Sequence, residues 1–212
     1  MKLPRLYPIL DTESLKARGI RLPTAAAAFL DGGAGILQIR HKGHWSRSLF
    51  EAARDTARLC REAGAPLVVN DRADFALLLE AGLHLGQDDL PPREARRLIG
   101  SEAILGFSSH NAAQLAAAGG EPVDYVALGP IFATASKRNP DPVVGVEEIS
   151  RLRALIEKPL VAIGGITQEN VAGVLRAGAD SVAVISGLLP ESPSAQALRT
   201  RMEQWQRAMR DA

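Results

Sequence analysis

The chain has 212 residues, 46% hydrophobic and 23% charged, an ordinary globular balance that excludes a disordered chain and suffices for one core without a second domain. Its 25 Lys and Arg nearly cancel its 24 Asp and Glu, so no broad positive field exists to hold nucleic acid or an anionic membrane, and an anionic ligand must be gripped locally. No apolar run approaches the ~18 residues of a membrane span, and Met1-Lys2-Leu3-Pro4-Arg5 lacks the apolar stretch of a signal peptide, which predicts a cytoplasmic protein with no membrane partner.

Short apolar runs alternate with longer helix-like segments, the pattern of repeated βα units on a parallel sheet. A first strand at residues 6–10 leads to a helix at 24–30. A second, 36–39, carries Gln38, Arg40 and Lys42 at period two, so alternation along an extended chain aims all three the same way. Two cations and an amide on one face suit a diphosphate, and equally describe solvated charge after a strand. The helix at 46–63 contains Cys60, the only cysteine, which excludes an internal disulfide and reads as a core thiol.

The third strand, 67–69, runs into Asn70-Asp71-Arg72 and a helix at 73–80; the fourth, 83–85, runs into Gly86-Gln87-Asp88-Asp89 and a helix at 92–98. Asp71 and Asp89 therefore stand on neighbouring units, and Mg²⁺ commonly binds through one or two carboxylates together with substrate phosphates. Taken singly, each also reads as a helix cap. The fifth strand, 104–107, precedes Ser108, Ser109 and His110 and a helix at 111–118. His110 suits a proton shuttle, a phosphate donor or a structural hydrogen bond, and His41, His44 and His84 show no zinc-ligand spacing.

After the sixth strand, 125–128, comes Gly129-Pro130-Ile131-Phe132-Ala133-Thr134-Ala135-Ser136-Lys137, with two hydroxyls and an ammonium close together. It opens the one long connection, 134–145, a possible lid. A helix at 146–156 and a seventh strand at 160–163 follow, ending in Gly164-Gly165 before a helix at 168–177. The eighth strand, 182–185, ends in Ser186-Gly187 before a last helix at 195–209. Glycines let backbone N–H groups approach an oxyanion, and the loops after strands seven and eight are the usual phosphate site of an eight-unit barrel. Eight strands without a linker favour one closed (β/α)₈ TIM barrel over residues 1–212, with its active site at the C-terminal ends of the strands. Gly33, Gly64, Gly82 and Gly178 read as left-handed helix stops. Two phosphate zones and a metal imply two phosphorylated small-molecule substrates; the oligomeric state is not legible.

Motif by motif, residues 6–188 resemble the thiamine-phosphate synthase family. Gln38-Ile39-Arg40-His41-Lys42 is similar to its QxRxK strand end, Asn70-Asp71-Arg72 to its NDR, and His84-Leu85-Gly86-Gln87-Asp88-Asp89-Leu90-Pro91 to its HxGQxDLP. Gly129-Pro130-Ile131-Phe132 with Thr134, Ser136 and Lys137 resembles GPIFPTxTK, and residues 161–166 with Val184-Ile185-Ser186 resemble the closing VAIGGI and VIS elements. Ala133 replaces the usual proline and Ser136 the usual threonine, which keeps the hydroxyl.

The resemblance implies that Gln38, Arg40, Lys42, Asn70, Ser108 and Lys137 hold a pyrimidine diphosphate, with Arg40, Lys42 and Lys137 acting on its leaving group. It implies Asp71 and Asp89 as Mg²⁺ ligands, and Thr134, Ser136, Gly165, Ile185 and Ser186 around a thiazole phosphate. The implied reaction is displacement of diphosphate from a pyrimidinylmethyl carbon by the thiazole nitrogen. Two alternatives remain: a thiazole tautomerase, which needs a base such as His110 but neither paired aspartates nor a basic cluster, and a non-catalytic sensor of phosphorylated ligands, which metal-dependent turnover excludes.

Overall fold

The computed structural model describes residues 2–134 and 141–210. Eight parallel strands close on one another in sequence order: β1 (Leu6–Asp11), β2 (Leu37–Arg40), β3 (Leu67–Asn70), β4 (Gly82–Leu85), β5 (Leu105–Ser109), β6 (Tyr125–Leu128), β7 (Leu160–Ile163) and β8 (Ser181–Val184). Closure is made by β1, which pairs with β2 on one side and β8 on the other. The expected TIM barrel is the observed fold.

Period-two alternation sorts the strand side chains into two cores. Leu6, Leu10, Leu37, Ile39, Val69, Leu83 and Leu85 belong to the large cluster shared with the surrounding helices. Tyr7, Ile9, Ile36, Val68, Tyr125, Ala127, Val161 and Ala183 form a second cluster that fills the barrel. Two of those interior residues are tyrosines, so the barrel floor carries hydroxyls that need partners.

The helices are α1 (Thr12–Ala17), α2 (Leu22–Asp31), α3 (Arg47–Glu62), α4 (Ala73–Leu78), α5 (Pro92–Ile99), α6 (Ala112–Gly119), α7 (Val146–Arg153), α8 (Val171–Arg176) and α9 (Ala195–Arg210). In α3 the Ser46 hydroxyl caps the Leu49 N–H, and Ala53, Thr56, Ala57 and Cys60 are buried at helical spacing. Burial pushes the Cys60 thiol up to about 11, the behaviour of a core thiol and not of a nucleophile.

Two local features differ from the sequence reading. A helix, α1, follows β1 directly, capped by the Asp11 carboxylate; at six residues it is too short for a periodic signal. Gly33, Gly64 and Gly178 do take positive φ, but Gly82 does not. The left-handed residue before β4 is Glu80, at φ 53; Gly82 is required because a Cβ there would lie 2.8 Å from the Ile104 carbonyl oxygen. The long connection, 134–145, is pinned at its base by backbone hydrogen bonds. Ile131 and Phe132 donate to the Ile163 and Gly164 carbonyls at 2.9 and 3.0 Å, and Val144 returns to donate to the Pro130 carbonyl at 2.8 Å.

Candidate active site at the barrel mouth

The C-terminal ends of the strands surround one cavity of about 580 Å³. Gln38, Arg40, Lys42, Asn70, Asp71, Asp89, Ser108, Thr134, Gly165, Ile185 and Ser186 all line it. Ser136 and Lys137 lie outside the described residues. Residues spread over some 150 positions of sequence thus meet because each lies at the C-terminal end of a strand or in the loop that follows it.

On the β2–β4 side the site is charged. Arg40 Nη1 donates to Asp11 Oδ2 at 2.5 Å, and the Asp11 carboxylate also accepts from the Ser14 N–H at 2.9 Å and the Ser14 hydroxyl at 2.7 Å. Burial alone would raise the Asp11 pKa; the Ser14 and Arg40 hydrogen bonds outweigh it and hold the carboxyl below its usual range. Arg40 is thereby fixed in direction, whereas Lys42 is half-exposed and donates to Asp71 Oδ2 at 2.6 Å.

Asp71 sits at φ 68, a left-handed conformation for a residue with a side chain. Its N–H donates to the His84 carbonyl at 2.8 Å, which ties the strained position to β4. Burial and the facing Asp89 carboxylate push the Asp71 pKa up, against the pull of Lys42. Asp89 Oδ2 accepts the Gly86 N–H at 2.7 Å. Neither aspartate caps a helix: α4 is preceded by Arg72 and α5 by Pro91, both without a side-chain cap. Two carboxylates pressed together beside cations form an all-oxygen donor set that a small divalent cation would relieve. Among the described residues no group of three or more His, Cys, Asp or Glu gathers as a complete metal cage, so such an ion would take its other ligands from substrate and water.

The β6–β8 side is built from backbone. Gly164 and Gly165 have φ 101 and 63, and Ser186–Leu188 form a single 3₁₀ turn after β8. Gly165 is also tightly enclosed, since a Cβ there would lie 2.5 Å from the Ala133 carbonyl oxygen. His110 Nδ1 lies 2.6 Å from the Gly129 carbonyl and 3.5 Å from Asp141 Oδ2, which gives the ring a bracing role beside the loop after β6.

Sequence reasoning misses Asp11, because the apolar run of the first strand stops at residue 10 and the Asp11 partner Arg40 lies on the neighbouring strand. It also misses the floor. Tyr7, Gln38, His84, Ser108 and Tyr125 form one continuous run of hydrogen bonds there; alternation from the flagged Gln38 and Ser108 across paired strands was the available signal.

A closed parallel barrel with cations, facing carboxylates and glycine turns around one mouth defines an enzyme scaffold for phosphorylated small molecules. Residues 6–188 match the family model described as thiamine monophosphate synthase. The chain is 47% identical over 192 residues to the thiamine-phosphate synthase of Koribacter versatilis, covering 89% of this chain and 90% of that one. It is 43% identical to that of Chloroflexus aurantiacus over 87% and 85% of the two chains. Among solved structures it is similar to the thiamine phosphate pyrophosphorylase of Pyrococcus furiosus, with TM-score 0.82 and 30% identity over 98% and 96% of the chains. The chain belongs to the thiamine monophosphate synthase family.

Proposed function

We propose that the barrel mouth joins a pyrimidinylmethyl diphosphate to a thiazole phosphate, giving thiamine phosphate and diphosphate, with Asp71 and Asp89 holding Mg²⁺. The observation that carries this reading is the facing Asp71/Asp89 pair beside Arg40 and Lys42, in the same cavity as the Gly164-Gly165 and Ser186 backbone. A diphosphate with its metal fits the charged wall, and a phosphate monoester fits the glycine wall across the barrel from it.

The thiazole nitrogen forms a bond to the pyrimidinylmethyl carbon, and the carbon–oxygen bond breaks with its electron pair leaving on diphosphate. No proton moves, so no general base is needed. The pyrimidine amino group can feed electrons to the reacting carbon, which favours a dissociative route. Mg²⁺ would supply charge neutralisation for the leaving group. Arg40, oriented by Asp11, and Lys42 add fixed positive charge where negative charge develops; the family resemblance adds Lys137. Gln38, Asn70 and Ser108 bind the same substrate, and Thr134, Ser136, Gly165, Ile185 and Ser186 orient the thiazole phosphate.

The test is Mg²⁺ dependence. Asp71→Asn and Asp89→Asn should each lower the rate about tenfold or more at limiting Mg²⁺, because an amide oxygen is a poorer ligand than a carboxylate. Full activity of both variants at limiting Mg²⁺ would remove the metal assignment.

A further inference from the structure

The barrel floor holds a run of polar groups of which the proposed chemistry uses Gln38 and Ser108 and leaves Tyr7, His84 and Tyr125 without a role. Gln38 Nε2 donates to the Tyr7 hydroxyl at 3.2 Å, and the Tyr7 and Tyr125 hydroxyls are 3.0 Å apart. The Tyr125 hydroxyl lies 2.9 Å from His84 Nδ1, and His84 Nε2 lies 2.9 Å from Ser108 Oγ. The five residues come from β1, β2, β4, β5 and β6 and all line the cavity. Gly106 makes the arrangement possible, since a Cβ there would lie 2.1 Å from Tyr125 Cζ and 2.6 Å from His84 Nδ1. The His84 and Tyr125 rings are stacked with centroids 5.6 Å apart.

Such a run has a direction. Each phenol has a single hydrogen, and burial raises both phenol pKa values, so each keeps it. With the Gln38 amide nitrogen on the Tyr7 oxygen, the arrangement in which each phenol hydrogen meets an acceptor along the run sends the Tyr7 hydrogen to Tyr125 and the Tyr125 hydrogen to His84 Nδ1. An imidazole that accepts at Nδ1 while neutral carries its proton on Nε2. That proton points at Ser108 Oγ, which leaves the serine hydrogen directed away from His84. The Ser108 backbone is held independently, its carbonyl accepting from Gln87 Nε2 at 2.5 Å.

We infer that His84 is a positioning residue whose Nε2–H tautomer, set by the Gln38–Tyr7–Tyr125 run, makes Ser108 a one-way hydrogen-bond donor into the cavity. This rests on the reading that Ser108 binds the leaving diphosphate: an anion requires a donor, and the opposite polarity would present it with a lone pair. The floor thus biases the site toward an anion before any ligand arrives.

Two measurements test this. Long-range ¹H–¹⁵N spectra of the intact protein labelled on histidine nitrogens should show His84, assigned by its loss in His84→Gln, as a neutral Nε2–H tautomer. Tyr125→Phe should convert that signal to a tautomer mixture. An Nδ1–H tautomer in the unsubstituted protein would overturn the inference. In steady state, Tyr125→Phe should lower kcat about fivefold to tenfold, and should have no further effect in a Ser108→Ala background, because residues acting through one group are not additive. Additive losses would also overturn it. If Ser108→Ala had no effect on turnover while the Nε2–H tautomer was present, the assignment of Ser108 to the diphosphate would fail and the tautomer lock would stand.

Discussion

Asp11 serves two elements with one carboxylate, capping α1 and fixing Arg40. Asn caps a helix about as well as Asp, so Asp11→Asn isolates the ion pair. Its pKa is depressed in the folded state; the stabilisation is therefore complete above the ordinary Asp range near ~4 and is lost as pH falls through the lowered folded value. Urea melts should show Asp11→Asn destabilised by about 1–3 kcal/mol at neutral pH, with the difference shrinking to nothing in acid. The KM for the pyrimidine diphosphate should rise with it, since Arg40 loses its direction. A pH-independent difference would mean that Arg40 gains nothing from the pair. Most single site residues were legible because strand-end position and alternation place them: Gln38, Arg40 and Lys42 share one face for that reason alone. Asp11, His84 and Tyr125 were not, because their roles lie in contacts across strands that spacing within one strand does not reveal.

At the level of elements, the loops after β6 and β7 behave as one body. Ile131 and Phe132 hydrogen-bond the end of β7, and Gly165 fits beneath the Ala133 carbonyl. The sequence marks Gly165 as an open approach for phosphate. Gly165→Ala adds left-handed strain of about 1–2 kcal/mol and a contact with backbone that must shift. It should therefore raise the KM of both substrates and lower Tm, by roughly 2–4 °C per kcal/mol for a chain of this size. A rise confined to the thiazole phosphate, with Tm unchanged, would show that the two loops are independent. The strands were legible to within about two residues because doubly buried parallel strands are continuous apolar runs. Short α1 and the turn at Glu80 were not, since a six-residue helix has no period and a left-handed Glu is set by its neighbours.

Across the whole molecule, the last helix supports the last loop. Trp205 of α9 is buried and its Nε1–H donates to the Gly187 carbonyl at 3.0 Å, inside the 3₁₀ turn that carries Ser186. Trp205→Phe removes that donor and leaves a void, a loss of about 2–4 kcal/mol. Thermal melts should show the loss, and kinetics should show a higher KM for thiazole phosphate than for the pyrimidine diphosphate relative to the unsubstituted enzyme. Equal kinetics with a lower Tm would make Trp205 purely structural. The central claim is that one mouth couples two phosphorylated substrates, and product analysis tests it directly. With both substrates and Mg²⁺, thiamine phosphate and diphosphate should form in equal amounts, and neither substrate alone should yield thiamine phosphate. Isomerisation of the thiazole phosphate with no diphosphate released, or diphosphate release at the same rate without the thiazole, would contradict it.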